Sequence, residues 1–284
     1  MENYQRLFPE YDFELVLVND GSPDNSWQIM QEYQKQYPDV IRIASFVRNF
    51  GQLMATRYGI SMANGDYIGV ISADLQDPLE LFVDMLNALE DGFDLVCGVR
   101  ENRQEKGLGV IFSKTTHLLI NKFINKQYPI GGFDFLALNR DNADRFLQIQ
   151  ERNGSFQLQL LWVSSDVKFV NYCRKEREVG KSGWTFSKKI KLFIDTFVSN
   201  SYLPIRLMSV SGFICAFAAF VYTFFIVIEA LVRENAVPGW ASLAVLITFF
   251  SGLILISFGI LGEYLWRIYD EVKDRPRYLI KEKK

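Results

Sequence analysis

The sequence predicts an α/β domain on a mostly parallel sheet, then an amphipathic helix at a membrane surface and a C-terminal hairpin of two transmembrane helices. Three observations carry this. Through about residue 180, short apolar runs that end in Gly, Asp, Asn or Pro alternate with stretches of helical period. Residues 207–228 and 236–262 hold no charged side chain, and each is long enough for a bilayer core of about 30 Å, which takes about 20 apolar residues. Between these parts Phe186, Ile190, Phe193, Ile194 and Phe197 recur at helical spacing, with Lys188, Lys189, Lys191 and Asp195 interleaved.

In chain order, residues 13–18 read as a buried strand and Asn19-Asp20-Gly21-Ser22-Pro23-Asp24 as the turn after it. A helix follows to about Gln36, then a strand near 41–45, the loop 47–51 and a helix over 52–62. The apolar run Tyr67-Ile68-Gly69-Val70-Ile71 is a further strand, and a helix over 78–89 leads to a strand over 93–99. After a basic loop (Arg100, Arg103, Lys106) the pattern predicts a helix over 112–123, a short strand over 135–138, and helices over 140–148 and 155–164. Residues 169–174 alternate like an edge strand. Strands alternating with helices imply a parallel sheet covered on both faces, with ligands above its C-terminal edge.

The 284 residues carry a formal net charge of −2, but the charge is uneven. Lys181, Lys188, Lys189, Lys191 and Arg206 precede the first span, and Arg267, Lys273, Arg275, Arg277, Lys281, Lys283 and Lys284 follow the second. The connection 229–235 offers only Arg233, so both flanks are expected on the cytoplasmic side. Both spans lie far from the N-terminus and neither reads as a signal peptide. Cys97, Cys173 and Cys215 show neither metal spacing nor a disulfide framework. The expected layout is an α/β domain over 1–180, a loop and interfacial helix over 181–203, spans near 205–229 and 238–263, and a basic tail over 267–284. Small residues in the spans (Ser209, Gly212, Ala216, Ala219; Ser251, Gly252, Gly259) permit close packing and a homo-oligomer. No nucleic-acid partner is expected.

The chemistry gathers at Val70-Ile71-Ser72-Ala73-Asp74-Leu75-Gln76-Asp77-Pro78. Two acids and an amide follow an abrupt strand end, and their oxygens suit a hard cation such as Mg²⁺ or Mn²⁺ holding a phosphorylated ligand. An ordinary Asp-Pro turn opening a helix is the competing reading. Together with Asn19-Asp20-Gly21-Ser22-Pro23-Asp24, Arg48-Asn49-Phe50-Gly51, Gly98-Val99-Arg100 and Gly132-Phe133-Asp134-Phe135, this run stands in the order and spacing of a known family. The chain resembles the family-2 glycosyltransferases of GT-A (Rossmann-like) fold. It is similar above all to the polyprenyl-phosphate glycosyltransferases, which include dolichol-phosphate mannose synthase and the bacterial bactoprenol glucosyltransferases. The two spans and the tail from Gly262 to Tyr278 resemble the bacterial branch.

The resemblance implies a site. Asp20 matches the acid that reads the donor's nucleobase, while a capping aspartate is its plain alternative. Asp74 and Gln76 match ligands of a divalent cation and diphosphate; Asp77 is expected to cap the following helix. Arg100 and Arg103 match cations that grip phosphate oxygens. Asp134 matches the residue proposed as catalytic base, although a lipid phosphate with a second pKa of about 6 is already mostly ionised at neutral pH. Orienting the acceptor, or stabilising positive charge at the anomeric carbon, is therefore an equal role for it. Arg177, Lys181 and Ser182 match the acceptor loop, beside Arg174. The lone His117, in an apolar helical run, is expected to be structural.

Two departures from the family stand out. Ser72 replaces an additional Asp, and no strand with a Pro-x-Tyr-Asn-Glu-type segment precedes Tyr11, through either an incomplete start or a tolerated opening of the sheet. The resemblance implies inverting transfer of a hexose, glucose from a UDP-sugar, to a polyprenyl phosphate at the inner membrane for cell-envelope glycans. Transfer of mannose, GlcNAc or an aminosugar, and a catalytically weakened scaffold, remain as alternatives. A processive synthase is disfavoured because Gln150-Glu151-Arg152-Asn153 is not that group's Gln-x-x-Arg-Trp signature.

Overall fold

A computed structural model describes residues 9–74, 76–100, 108–129, 132–151, 154–173, 198, 201, 203–232 and 239–284. The chain forms two compact units, one of residues 1–193 with 275–284 and the other of residues 194–274.

The first unit alternates as expected. Strand β1 (Leu15–Asn19) leads to helix α1 (Ser26–Gln36), β2 (Ile41–Phe46), α2 (Gln52–Met62) and β3 (Tyr67–Val70). Then come α3 (Leu81–Glu90), β4 (Leu95–Arg100), α4 (Leu108–Phe123), β5 (Phe135–Asn139), α5 (Arg140–Gln148), α6 (Phe156–Val163) and β6 (Val167–Tyr172). Helix α5 starts where Asn139 accepts from the backbone N–H of Asn142 through its side-chain oxygen, an N-cap that also ends β5.

The sheet is mixed rather than mostly parallel. β1 pairs parallel with β2 and β4 pairs parallel with β6, whereas β5 runs antiparallel between β3 and β4. Strand β5 is apolar on both faces (Phe135, Leu136, Ala137 and Leu138 are all buried), a composition that suits a central strand of either direction. Among the described residues the strands make two sheets, β1-β2-β7 and β3-β5-β4-β6, and no strand pairs with the second edge of β1 or of β3. Glu14 ties the starts of those edges together, because its carboxylate accepts from the backbone N–H groups of Asn64 and Gly65.

The apolar core follows from this layering. Met85, Ala88 and Leu89 of α3 pack on Val96, Phe135, Ala137 and Tyr172. Phe46, Met54, Tyr58 and Met62 form a second cluster around β2 and α2.

Strand β7 (Ile280–Lys283) was not expected in the basic tail. It pairs antiparallel with β2, Ala44 against Lys283, and Glu282 accepts from the Trp27 indole at 2.9 Å. Just before it, Tyr278 stacks on Phe46 with ring centroids 5.0 Å apart and lies 4.9 Å from Tyr58. Arg277 donates to the Ile149 carbonyl at 2.9 Å, and Arg57 of α2 donates to that carbonyl and to Leu147. Burial, with Arg277 alongside, lowers the Arg57 pKa to about 10, so it stays charged at neutral pH. The sequence concealed this strand because Lys and Glu alternate there without an apolar partner; its pairing energy lies in the backbone.

The second unit holds α7 (Leu203–Val232) and α8 (Trp240–Val272). Each contains a window long and apolar enough to cross a membrane, Pro204–Tyr222 and Phe249–Val272, and 0% of either is buried. A soluble core helix would bury such a face. Tyr264 donates to the Ser201 carbonyl at 3.2 Å, and Arg267 pairs with Glu263 at 2.9 Å one turn away. Apart from residues 198, 201 and 203, the expected interfacial helix lies outside the described residues.

Tyr278→Ala is expected to remove a half-buried stacked ring and cost about 2 kcal/mol, lowering the first unit's melting temperature by roughly 4–8 °C. An unchanged melt would show that the tail is not seated on β2.

Candidate active site

Three strands bring polar groups to one edge. Arg100 ends β4, Tyr172 ends the parallel neighbour β6, and Arg100 and Tyr172 are register partners. Asp134 stands just before β5, whose antiparallel register sets Phe135 against Gly98. The same strand sets Leu136 against Val70, which carries Asp134 past the end of β3, towards the segment that holds Asp74.

These groups form a continuous chain. The Tyr172 hydroxyl donates to Asp77 Oδ1 at 2.5 Å and accepts from Arg100 Nε at 3.3 Å. Arg100 Nη2 lies 3.4 Å from Asp134 Oδ2, and Gln157 of α6 donates to Asp134 Oδ1 at 3.1 Å and to the Phe133 carbonyl at 3.2 Å. Asp77 and Tyr172 are buried, at 2% and 6% exposure, whereas the Asp134 side chain is 45% exposed. The outer carboxylate is thus open to a ligand, while Asp77 and Tyr172 behind it are shut from water.

Burial, reinforced by the hydrogen bond to Asp77, pushes the Tyr172 phenol up to about 12 against the opposing pull of Arg100. For Arg100, burial pulls the pKa down, but the Tyr172 hydrogen bond and the charges of Asp134 and Asp77 outweigh it and the net direction is up. Both groups therefore keep their protons throughout the neutral range.

Asp77 does not cap a helix as expected. Helix α3 begins at Leu81 with Glu80 in the cap position, too far along for Asp77, whose buried carboxylate is turned to Tyr172 instead. Asp74 is half-buried, and its Oδ1 accepts from the Gln76 backbone N–H at 3.4 Å; Gln76 itself is buried. Among the described residues no three His, Cys, Asp or Glu side chains cluster as a metal site. One carboxylate and one amide oxygen fit a hard divalent ion whose other ligands are diphosphate and water, the usual manner of Mg²⁺, and not an all-protein cage.

Asp20, after β1, accepts at both oxygens, from Phe50 N at 2.7 Å and Gly51 N at 2.9 Å. It thereby holds the turn that opens α2. Gly21, at φ +67°, lies so close to Arg48 that a Cβ would sit 2.4 Å from that residue's carbonyl carbon, so the two loops must meet through a glycine. The carboxylate keeps lone pairs beyond these two bonds. His117 packs edge-on to Tyr128, ring centroids 5.7 Å apart, and lies against Gly132. Arg103, Arg174, Arg177, Lys181 and Ser182 lie outside the described residues.

Tyr172 and Gln157 were missed in the sequence. The end of a parallel strand just before a basic run was a usable signal for Tyr172. Gln157 had none, since an amide on a short apolar helix is ordinary.

A Rossmann-like sheet with carboxylates, an amide and a guanidinium at its strand ends defines an α/β enzyme of the GT-A kind. The chain belongs to glycosyl transferase family 2, whose description matches residues 3–146, and it is a glycosyltransferase. It is 35% identical over 290 residues to an uncharacterized glycosyltransferase of Bacillus subtilis, covering 99% of this chain and 88% of that one. It is also 35% identical over 283 residues to the SfII prophage-derived bactoprenol glucosyl transferase of Shigella flexneri, covering 99% and 91%. A crystal structure of glucosyl-3-phosphoglycerate synthase from Mycobacterium tuberculosis, in complex with Mn²⁺ and UDP-glucose, aligns with a TM-score of 0.42 and 14% identity over 68% of this chain and 79% of that one. That match is too loose to carry any residue across.

Two outcomes test this geometry. Asp20→Ala should speed amide exchange at Phe50 and Gly51 at least about tenfold, the kinetic equivalent of about 1.4 kcal/mol for lost acceptors; undiminished protection would refute the contacts. Tyr172 contributes its full stability below its ordinary value of 10.0 and loses it as pH rises to about 12, because the folded chain then holds a proton that the unfolded chain has shed. Melts of wild type should accordingly lose ground to Tyr172→Phe between those pH values, and parallel curves would count against the burial.

Proposed function

We propose that the enzyme transfers a hexose, glucose from UDP-glucose, to undecaprenyl phosphate at the cytoplasmic face of a bacterial inner membrane. The observation that carries this is the presence, in one glycosyltransferase chain, of a polar sheet edge and two exposed helices of membrane-spanning length. Relatives named as bactoprenol glucosyl transferases, 34–35% identical over nearly the whole chain, support the lipid acceptor. Strand β7 supports the hairpin: a tail that pairs with β2 requires the chain to return to the side it left, as an even number of spans does.

In this reading Asp20 receives the nucleobase while Arg100 and Arg103 grip the diphosphate. Asp74 and Gln76 hold a divalent cation, Mg²⁺ or Mn²⁺. When bound, such an ion offsets the charge of the departing diphosphate. An acceptor phosphate oxygen attacks the anomeric carbon, the bond to the diphosphate oxygen breaks, and UDP leaves with inverted configuration in the product. Because the acceptor is already ionised, the chief task of Asp134 is to orient it and to stabilise positive charge at that carbon. Arg100 and Gln157 restrain both its oxygens. Arg177, Lys181 and Ser182 receive the lipid phosphate at the membrane surface.

The test is to incubate the full chain with undecaprenyl phosphate and a panel of labelled UDP- and GDP-sugars and to read which label becomes lipid-extractable. UDP-glucose is expected, with Asp74→Ala slower by about 100-fold or more, the order seen on removal of a group that stabilises developing charge. Preference for another sugar would replace glucose. Full activity of Asp74→Ala would remove its metal role.

A further inference from the structure

We propose that Tyr172 is a positioning residue for sugar transfer, its hydroxyl fixing the guanidinium of Arg100 between the buried Asp77 and the exposed Asp134. The proposal rests on the reading that this sheet edge is the transfer site, and deepens it.

The backbone places the two side chains first. Arg100 and Tyr172 are the last residues of adjacent parallel strands and face each other in register. Gly98, two residues earlier on β4, makes room for the ring: a Cβ there would lie 3.0 Å from the Tyr172 ring and 3.1 Å from that of Phe135. Phe135 closes the other side, edge-on with centroids 5.8 Å apart. The phenol therefore has one orientation, with its oxygen at the strand end.

Its hydrogen bonding then has one solution. A phenol owns a single proton, and Tyr172 gives it to Asp77 at 2.5 Å, the length of an O–H···O⁻ bond. Its lone pairs are left to accept, and Arg100 Nε supplies the donor at 3.3 Å. A guanidinium is a rigid planar fork, so one nitrogen held at Nε sets the direction of Nη2, which lies 3.4 Å from Asp134. Without the hydroxyl, Arg100 would keep, among the described residues, its hydrogen bond to Asp134 and only the more distant charge of Asp77 to oppose it. The pair would close on itself and occupy the groups meant for substrate.

The experiment compares kinetics of wild type, Tyr172→Phe, Arg100→Lys and the double variant in the full detergent-purified chain. Tyr172→Phe keeps the ring and should keep the fold. We expect its kcat to fall about tenfold, as for a lost orienting contact, while KM for the donor changes less than about threefold. The double variant should be no slower than Arg100→Lys alone, within about twofold, since groups acting through one another are not additive. Asp77→Asn, which retains the shape but not the charge, should repeat the kcat loss and covers the case in which Tyr172→Phe folds poorly. Wild-type kcat in a folded Tyr172→Phe or Asp77→Asn, or losses that multiply in the double variant, would overturn the proposal. A wild-type chain that transfers nothing to polyprenyl phosphate would count against the acceptor reading alone. The variants are then compared by release of nucleoside diphosphate through donor hydrolysis.

Discussion

The site depends on the double pairing of β4. Its antiparallel neighbour β5 delivers Asp134 at an N-terminal end, and its parallel neighbour β6 delivers Tyr172 at a C-terminal end. Only a mixed sheet sets both ends beside Arg100. In a wholly parallel sheet the residue before β5 would lie at the opposite edge, a strand length of roughly 15 Å away. The direction of one short apolar strand therefore decides whether a carboxylate and a guanidinium meet.

Charge is graded across that edge. Asp77 is sealed beneath Tyr172, Arg100 is mostly covered, and Asp134 is open. Burial strengthens the inner contacts, where water cannot compete, and leaves the outer carboxylate reachable. Asp20 works differently at the end of β1, where two backbone N–H groups hold it to the turn opening α2. A carboxylate engaged in this way has its direction set before any ligand arrives, so little ordering is left for binding to impose.

The tail gives the same helix a second anchor. Arg57 and Tyr58, both on α2, receive the segment that follows the second apolar helix, through the shared Ile149 carbonyl and the stacked rings of Phe46, Tyr58 and Tyr278. The chain leaves the sheet unit before the apolar helices and rejoins it after them. Residues far apart in sequence thus hold one eleven-residue helix, Asp20 at its opening turn and Tyr278 against Tyr58 midway along it.

By itself the sequence determined the alternation of strands and helices, the two span-length helices and the family. Each depends on local periodicity or on motifs within a few residues, such as Asp74 to Pro78. The helices over 52–62 and 140–148 were legible to the residue because a loop glycine and an Asn cap bound them locally. Tertiary structure alone decided the direction of β5, the return of β7, and the turning of Asp77 from a helix cap to a buried partner of Tyr172. Strand direction and edge pairing arise from backbone hydrogen bonds between distant segments, to which side-chain pattern is nearly blind. Asp77 and Tyr172, 95 residues apart, meet only once β3, β4, β5 and β6 are side by side.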